Sequence, residues 1–253
     1  MIYHKNMKNI ALIIEYIGTN YSGFQKQKNG LSIAEVIENA IEQATKERVK
    51  LIPSGRTDKG VHALGQVANF VSNSNIPADK MAININLYLP FDIQIKKSFE
   101  VPLDFNARKN AKQKTYIYKM ITGQNMSVFD RNRALFVRGE LDENLMKKVC
   151  KYIVGTHDFS AFVASGATTK TTTRTIYSCD LYRKENYLVF EITGNGFLYN
   201  MVRILVGTLI LVGKNKMSIE QFKTLLDGGD RKNAGKTVSP DGLYLKEVKY
   251  LDE

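Results

Sequence analysis

One carboxylate, Asp58, lies in a glycine-rich stretch of residues 53–66 and has a cation on each side. Arg56 precedes it by two residues, and Lys59 follows it directly. Nearby positive charge favours the ionised form of a carboxylate and lowers its pKa. An ionised carboxylate can act as a nucleophile or as a base. The same residue types are also typical of an ordinary turn, where Asp and Gly are favoured by backbone geometry alone.

A second charged residue, Arg203, is the only charge in the apolar run of residues 197–211. A guanidinium in such a run either reaches the surface along its own side chain or is buried with a partner. A buried guanidinium needs a carboxylate, and Asp58 is the candidate. This pair would join the two halves of the chain, with the active-site cleft between them.

The Asp58 stretch must be positioned by the elements on either side of it. Apolar and β-branched runs predict a strand before it, at residues 49–52, and a strand after it, at residues 66–71. Three glycines between these strands can adopt positive φ, namely Gly55, Gly60 and Gly65. The stretch is therefore expected to be a shaped loop rather than part of a helix or strand.

The remaining elements are read from hydrophobic periodicity and capping residues. Helices are predicted from Ser32 to about Lys46, at residues 77–87, from Asp142, at residues 197–212 and from Ser218. Further strands are predicted at residues 9–16, 91–101, 114–120, 174–183, 187–194 and 242–250. Residues 155–162 are predicted to form a loop, and residues 163–173 a mobile one. This order favours an α+β fold with mostly antiparallel sheets flanked by helices, in two related subdomains, 1–105 and 106–253.

The 253-residue chain carries a formal net charge of +11 that is unevenly distributed. Residues 1–105 hold 12 Lys and Arg against 10 Asp and Glu, whereas residues 106–253 hold 24 against 15. Residues 106–138 hold eight cations and one acid. This excess suggests a polyanionic partner such as nucleic acid, because a basic surface concentrates phosphates. A solvated basic surface without such a partner is the alternative.

The sequence lacks the motifs that are typical of several classes of site. The two cysteines form no CxxC pair, and the three histidines are isolated, which argues against a disulfide framework and a metal centre. There is no P-loop and no GxGxxG motif. The longest apolar run, residues 204–212, is too short to span a bilayer. We therefore expect a cytoplasmic protein without metal or nucleotide cofactor.

Motifs spread in order over nearly the whole chain resemble those of the tRNA pseudouridine synthase A (TruA) family. Residues 55–63 are similar to the catalytic loop of that family, in which the Asp is the indispensable residue. Further similar motifs lie at residues 21–25, 86–93, 105–108, 114–118, 155–162, 174–176, 197–203 and 242–245. The chain departs from the family pattern at Lys59, where Ala is more usual, and at residues 238–241.

The resemblance implies a pseudouridine synthase fold and the isomerisation of uridine to pseudouridine, without a cofactor. It implies that the substrate is the tRNA anticodon stem-loop at positions 38 to 40, reached by base flipping, and that the protein is a homodimer. Asp58 would be the catalytic residue, kept ionised by Arg203. Tyr116 would stack on the target base, and Arg56 would contact the RNA backbone near the flipped nucleotide. The basic face of residues 106–253, including Arg174, would hold the RNA.

Three questions stay open at this point. Asp58 could attack C1′ of the ribose, add to C6 of the base, or remove the C2′ proton. The same chemistry could act on another RNA, such as ribosomal RNA. A non-catalytic RNA-binding protein could also have this fold.

Overall fold

The chain is described by a computed structural model that covers residues 7–28, 30–166 and 169–250. Its internal contacts divide it into two compact units. The first comprises the residues up to Lys112 together with those from Leu245 on, and the second comprises Gln113–Tyr244. The sequence-based division between residues 105 and 106 falls shortly before the first of these boundaries and assigns the C-terminal strand to the second half.

The described elements include ten strands and five α-helices. The strands are β1 (Lys8–Tyr16), β2 (Ile52–Pro53), β3 (His62–Ser72), β4 (Ile93–Val101), β5 (Gln113–Gly123), β6 (Leu135–Arg138), β7 (Gly155–Asp158), β8 (Thr173–Lys184), β9 (Tyr187–Gly194) and β10 (Leu243–Lys249). The helices are α1 (Ile33–Thr45), α2 (Met81–Asn86), α3 (Glu143–Ile153), α4 (Met201–Gly213) and α5 (Ile219–Leu226).

The first unit is built on β1, which pairs antiparallel with β3 on one side and with β4 on the other. β2 also pairs antiparallel with β3, and β10 is the neighbour of β3. Ile10, Leu12 and Ile14 of β1 are fully buried, and so is Ala11, so both faces of this strand are covered. β1 is therefore the centre of the core, and its end at Tyr16 leads into the segment that contacts the Asp58 loop.

Helix α1 packs its apolar stripe into the same core. Ile33, Ile37 and Ile41 are fully buried, as the helical period of the sequence predicts. The Ser32 hydroxyl accepts a hydrogen bond from the Glu35 backbone N–H at 3.2 Å, which confirms the predicted N-cap.

The second unit has the strand order β5-β9-β8-β7, and all three of these pairs are antiparallel. β6 pairs with β5 in parallel. Helix α4 lies at the core of this unit and is apolar almost all round. Its fully buried side chains are Ile204, Leu205, Val206, Leu209 and Val212. The predicted α+β fold with mostly antiparallel sheets is confirmed.

Some predicted elements have different bounds in the structure. Helix α4 begins only at Met201, because Asn200 adopts a left-handed conformation with φ of 60°. The predicted loop at residues 155–162 instead begins with strand β7. Residues 167 and 168 of the predicted mobile loop lie outside the described residues.

The longest α-helices of the described chain, α1 and α4, have 13 residues each, and none there is long and apolar enough to cross a membrane.

Candidate active site

Loop 54–61 links β2 to β3 and carries Asp58. The Gln66 side chain closes the loop at its start. The Gln66 Oε1 accepts a hydrogen bond from the Ser54 hydroxyl at 2.6 Å, and its Nε2 donates to the Gly55 carbonyl at 3.0 Å. Because Gln66 is itself fully buried in β3, these bonds tie the loop to the sheet.

Asp58 begins a tight turn that ends at the start of β3. The Val61 N–H donates to the Asp58 carbonyl at 3.1 Å, and Gly60 has φ of 79°, a conformation that favours glycine. The expectation of positive φ is therefore correct for Gly60. It is wrong for Gly55 and for Gly65, and Gly65 lies within β3. A Cβ on Gly65 would lie 2.7 Å from the Lys246 carbonyl oxygen, so this position requires glycine for close strand packing.

Residues 17–24, which follow β1, support the loop through backbone hydrogen bonds. The Phe24 N–H donates to the Thr57 carbonyl at 3.1 Å. The Gly60 N–H donates to the Tyr21 carbonyl at 3.4 Å. The residues on both sides of Asp58 are thus bonded to the same neighbouring segment, which limits the movement of the carboxylate.

Two glycines allow this segment to lie directly against the loop. Gly23 has φ of 98°, and a Cβ there would lie 2.6 Å from the Thr57 carbonyl oxygen. A Cβ on Gly18 would lie 2.0 Å from the Val61 carbonyl oxygen. The Gly18 N–H also donates to Nδ1 of the fully buried His62 at 3.1 Å. Larger residues at positions 18 and 23 would push the two backbones apart.

Two buried tyrosines fix the supporting segment. Tyr16 shares a hydrogen bond of 2.7 Å with the Thr57 hydroxyl, and Tyr21 donates one of 2.6 Å to the Asp92 carboxylate. Burial raises the pKa of both phenols, so both remain protonated at neutral pH. Sequence reasoning missed the bond between Tyr16 and Thr57, because its partners lie 41 positions apart and neither residue type signals the other.

Exposure differs from residue to residue along the loop. Thr57 is buried, Asp58 is half-buried, and Arg56 and Lys59 are exposed. A large anionic ligand can therefore reach the two cations on either side of Asp58. The turn holds the carboxylate-bearing residue between the core and the solvent.

Arg203 of the second unit is half-buried near the start of α4. Its Nε donates to the Val238 carbonyl at 2.7 Å, and its Nη1 donates to the Asn200 side-chain oxygen at 2.7 Å. The guanidinium is thus anchored by neutral oxygen atoms rather than extended freely into water. Its pairing with Asp58 stays a prediction.

The two tyrosines of β5 differ in what they can offer a ligand. Tyr118 is fully buried, and its hydroxyl donates to the Ser239 carbonyl at 2.7 Å. Tyr116 is half-buried, and its ring meets that of Phe197 edge-on, with centroids 5.1 Å apart and planes at 82°. Of these two rings, only Tyr116 has surface left for contact with a base. Phe197 belongs to the same sequence motif as Arg203.

Two cations that the sequence analysis placed on the RNA-binding face are engaged within the protein. Lys119 lies in the basic segment 106–138, but its Nζ lies 4.6 Å and 5.1 Å from the ring centroids of Tyr244 and Tyr187. Burial lowers the pKa of Lys119. The Arg174 guanidinium donates to the Thr171 carbonyl, just before β8, and to the Thr173 carbonyl at the start of β8. Burial lowers the pKa of Arg174 too.

Six other cations of the basic segment are exposed, namely Arg108, Lys109, Lys112, Arg131, Arg133 and Arg138. The division into units splits this segment at residue 112. The first unit contains 17 Lys and Arg against 13 Asp and Glu, and the second contains 19 against 12. Both units are therefore basic, and the second is more so.

Comparison with known proteins gives concordant matches. A family model described as tRNA pseudouridine synthase matches residues 12–108 and 149–251, which include Asp58 and Arg203. The chain is 50% identical to "tRNA pseudouridine synthase A" of Acetivibrio thermocellus, over 96% of this chain and 100% of that protein. It is 46% identical to the protein of the same name from Caldicellulosiruptor bescii, with the same coverage. It is 47% identical to "tRNA pseudouridine synthase A 2" of Clostridium tetani, over 96% of this chain and 99% of that protein. The chain belongs to the tRNA pseudouridine synthase A family.

Proposed function

We propose that this protein is a tRNA pseudouridine synthase that isomerises uridine to pseudouridine in the anticodon stem-loop, at positions 38 to 40. The observation that carries the proposal is the Asp58 loop. It holds one half-buried carboxylate between two exposed cations and is bonded to a neighbouring segment on both sides of Asp58. The names of the relatives support the same reaction on tRNA.

The reaction breaks the N1–C1′ glycosidic bond, turns the uracil and forms a bond between C5 and C1′. The proton that C5 loses is balanced by the one that N1 gains, so substrate and product are isomers. Asp58 provides the carboxylate, which attacks C1′, adds to C6 or removes the C2′ proton. A fixed carboxylate suits each of these routes, because misplacement of a reacting atom by about 1 Å can cost about a hundredfold in rate.

Three further residues complete the proposed site. Arg203 pairs with Asp58 and favours its ionised form. The half-buried ring of Tyr116 stacks on the uracil, an interaction worth about 1–3 kcal/mol. Arg56, exposed two residues before Asp58, contacts the RNA backbone beside the flipped nucleotide. Extrusion of that nucleotide from the stem costs a few kcal/mol, which such contacts offset.

We further propose that the protein acts as a homodimer. Large apolar side chains on and just after α2 are exposed, with Phe91 at 97% and Leu87 at 74% of full exposure. Such side chains are available for burial against a second copy. Light scattering coupled to size-exclusion chromatography measures the mass directly, and a monomer at micromolar concentration would contradict this part of the proposal.

Tritium release tests the reaction itself. A tRNA labelled with tritium at C5 of its uridines should release one tritium for each uridine converted. Substrates in which positions 38, 39 and 40 are changed singly to cytidine should identify the modified sites, and a ribosomal RNA fragment tests the alternative substrate. RNA binding without tritium release from any of these RNAs would favour the non-catalytic alternative.

A further inference from the structure

A basic cavity in the second unit is lined by residues to which no role has been given so far. It has a volume of about 460 Å³, which is large enough for a nucleotide-sized group. Its lining includes Arg231, Lys232 and Lys236, together with the hydroxyl-bearing Ser165 and Thr237, and no acid. Lys232 and Lys236 are exposed. Three cations without an acid among them make the cavity a site for an anion.

The wall that carries the two lysines is held closely against helix α4. The Gly235 N–H donates to the buried Thr208 hydroxyl at 2.9 Å. A Cβ on Gly235 would lie 2.3 Å from the Gly207 carbonyl carbon, and a Cβ on Gly207 would lie 2.0 Å from the Lys236 carbonyl oxygen. The backbone of Lys236 is therefore fixed by packing rather than carried on a free loop.

Arg231 is ordered by hydrogen bonds within the same segment. Its Nη1 donates to the Gly235 carbonyl at 3.0 Å, and its Nη2 donates to the Thr237 hydroxyl at 3.3 Å. These bonds use two of the five N–H donors of a guanidinium. Because the Arg231 side chain is already ordered, the binding of an anion to it loses less side-chain entropy than binding to a mobile arginine would.

The same segment leads to Arg203. Val238, which accepts the bond from Arg203 Nε, directly follows Thr237 of the cavity lining. Along α4, Arg203 lies four residues before Gly207, which is about 6 Å of helix. An anion in the cavity would thus lie near Arg203, the proposed partner of Asp58.

We propose that this cavity is a phosphate-binding subsite for the backbone of the substrate RNA. The inference rests on the proposed function for its ligand. The cavity should take one phosphodiester group, held by Arg231, Lys232 and Lys236 as a charged set and by the two hydroxyls as neutral donors. Such a contact positions the strand and carries no base specificity.

Two double variants remove the same charge from different places. Lys232→Ala with Lys236→Ala empties the cavity of its exposed cations. Lys147→Ala with Lys148→Ala removes two exposed lysines of α3 that do not line the cavity. The cavity variant should raise the KM for RNA about tenfold and leave kcat within about twofold, whereas the α3 variant should change neither. An equal rise in KM in both variants would overturn the proposal.

A second measurement locates the phosphate. A series of substrate RNAs carries one uncharged methylphosphonate at successive linkages, and the affinity of each is measured. Wild-type protein should lose affinity at one linkage, and the α3 variant should show the same loss. The cavity variant, which keeps Arg231, should show a markedly smaller loss there. Persistence of the full loss in the cavity variant would contradict the assignment. If the wild type binds and converts RNA but no linkage shows a loss that the cavity variant reduces, this inference alone is overturned. If the wild type neither binds nor converts RNA, the proposed function is overturned as well.

Discussion

Asp58 owes its position to backbone hydrogen bonds on both sides of it rather than to its own sequence neighbours alone. Thr57 and Gly60 are each bonded to the segment that follows β1. A substitution that keeps the size of the side chain should therefore leave the loop in place. The carboxylate of Asp58 can therefore be removed by substitution without changing the conformation of the loop.

Asp58→Asn should lower turnover of the tRNA substrate by at least about a hundredfold, because the amide can act neither as a nucleophile nor as a base. RNA affinity should stay within a few fold of the wild type. Tritium release and a binding titration measure the two quantities. Asp79→Asn, a change to an exposed carboxylate of the same unit, is the control. Substantial turnover by the Asp58 variant would remove Asp58 from the catalytic role.

Arg203→Ala should reduce stability and turnover together. The change deletes the donors to Val238 and Asn200, at a cost of roughly 1–3 kcal/mol in the free energy of unfolding. It should also lower the rate at least about tenfold if the guanidinium keeps Asp58 ionised. Asn200→Ala removes one of the two bonds and retains the cation, so it should affect stability alone. Denaturant unfolding and tritium release separate these effects, and a full rate in Arg203→Ala would refute the pairing.

Tyr116→Ala should reduce the efficiency of the reaction by about 5- to 150-fold, which corresponds to the 1–3 kcal/mol of one stacked base. Tyr116→Phe keeps the ring and should retain most of the activity. Tyr118→Phe, on the same strand, loses its bond to Ser239 and should lower stability by about 1 kcal/mol without a comparable loss of activity. Equal activity in the Ala and Phe variants at position 116 would exclude stacking.

The catalytic candidates themselves could be predicted from residue type and spacing, because an acid among glycines and a charge in an apolar run are anomalies in the sequence. The residues that support them could not. His62 accepts from Gly18, 44 positions away, and Tyr21 donates to Asp92, 71 positions away. A side chain that completes such a distant contact has no local pattern to identify it.

The segment between β1 and α1 acts as a support for the Asp58 loop. Its glycines matter because the loop backbone occupies the space where their side chains would be. At Gly23 the left-handed φ and the neighbouring Thr57 carbonyl both exclude a Cβ. At Gly139, φ is similar at 87°, but nothing lies within 4 Å of the Cβ position. A comparison of substitutions at Gly23 and Gly139 therefore distinguishes the effect of backbone strain from the effect of displacing the Asp58 loop.

Gly23→Ala and Gly139→Ala should each cost about 1–3 kcal/mol of stability, because both place a side chain at positive φ. Only Gly23→Ala should also lower kcat, by about a hundredfold if the loop moves by about 1 Å. Thermal unfolding measures the loss of stability that both variants share. Single-turnover kinetics measure the loss of rate expected only in Gly23→Ala. If both variants lost turnover equally, or if neither did, the support role of this segment would be wrong.

Elements with strong local signals were predicted well. The caps at Ser32 and Ser218 and the apolar stripe of α1 identify their helices, because these features depend on residues within a few positions. The four-residue strands β6 and β7 were missed, since so short a strand is defined by its partner and not by its own sequence. The return of the chain from Leu245 on to the first unit is likewise a long-range pairing that no local pattern shows.

At the scale of the whole molecule, the excess of positive charge is the feature most directly linked to an RNA substrate. It is shared by both units, although single cations within it have other partners, as Lys119 has. The net charge of +11 is therefore not a count of the phosphates contacted. What the charge does predict is the response of binding to salt.

RNA affinity should fall by about a thousandfold between 50 and 200 mM salt if about six phosphates are contacted, because each contact releases a condensed counterion. The turnover rate at saturating RNA should change little, since the chemical step involves no such release. Lys109→Ala, in the basic segment, should reduce the slope of log K against log salt by about 0.9, whereas Lys50→Ala, an exposed lysine outside that segment, should leave it unchanged. Titrations at four or more salt concentrations give these slopes. An affinity independent of salt would show that the charge excess is a solvated surface and that RNA is held by other means.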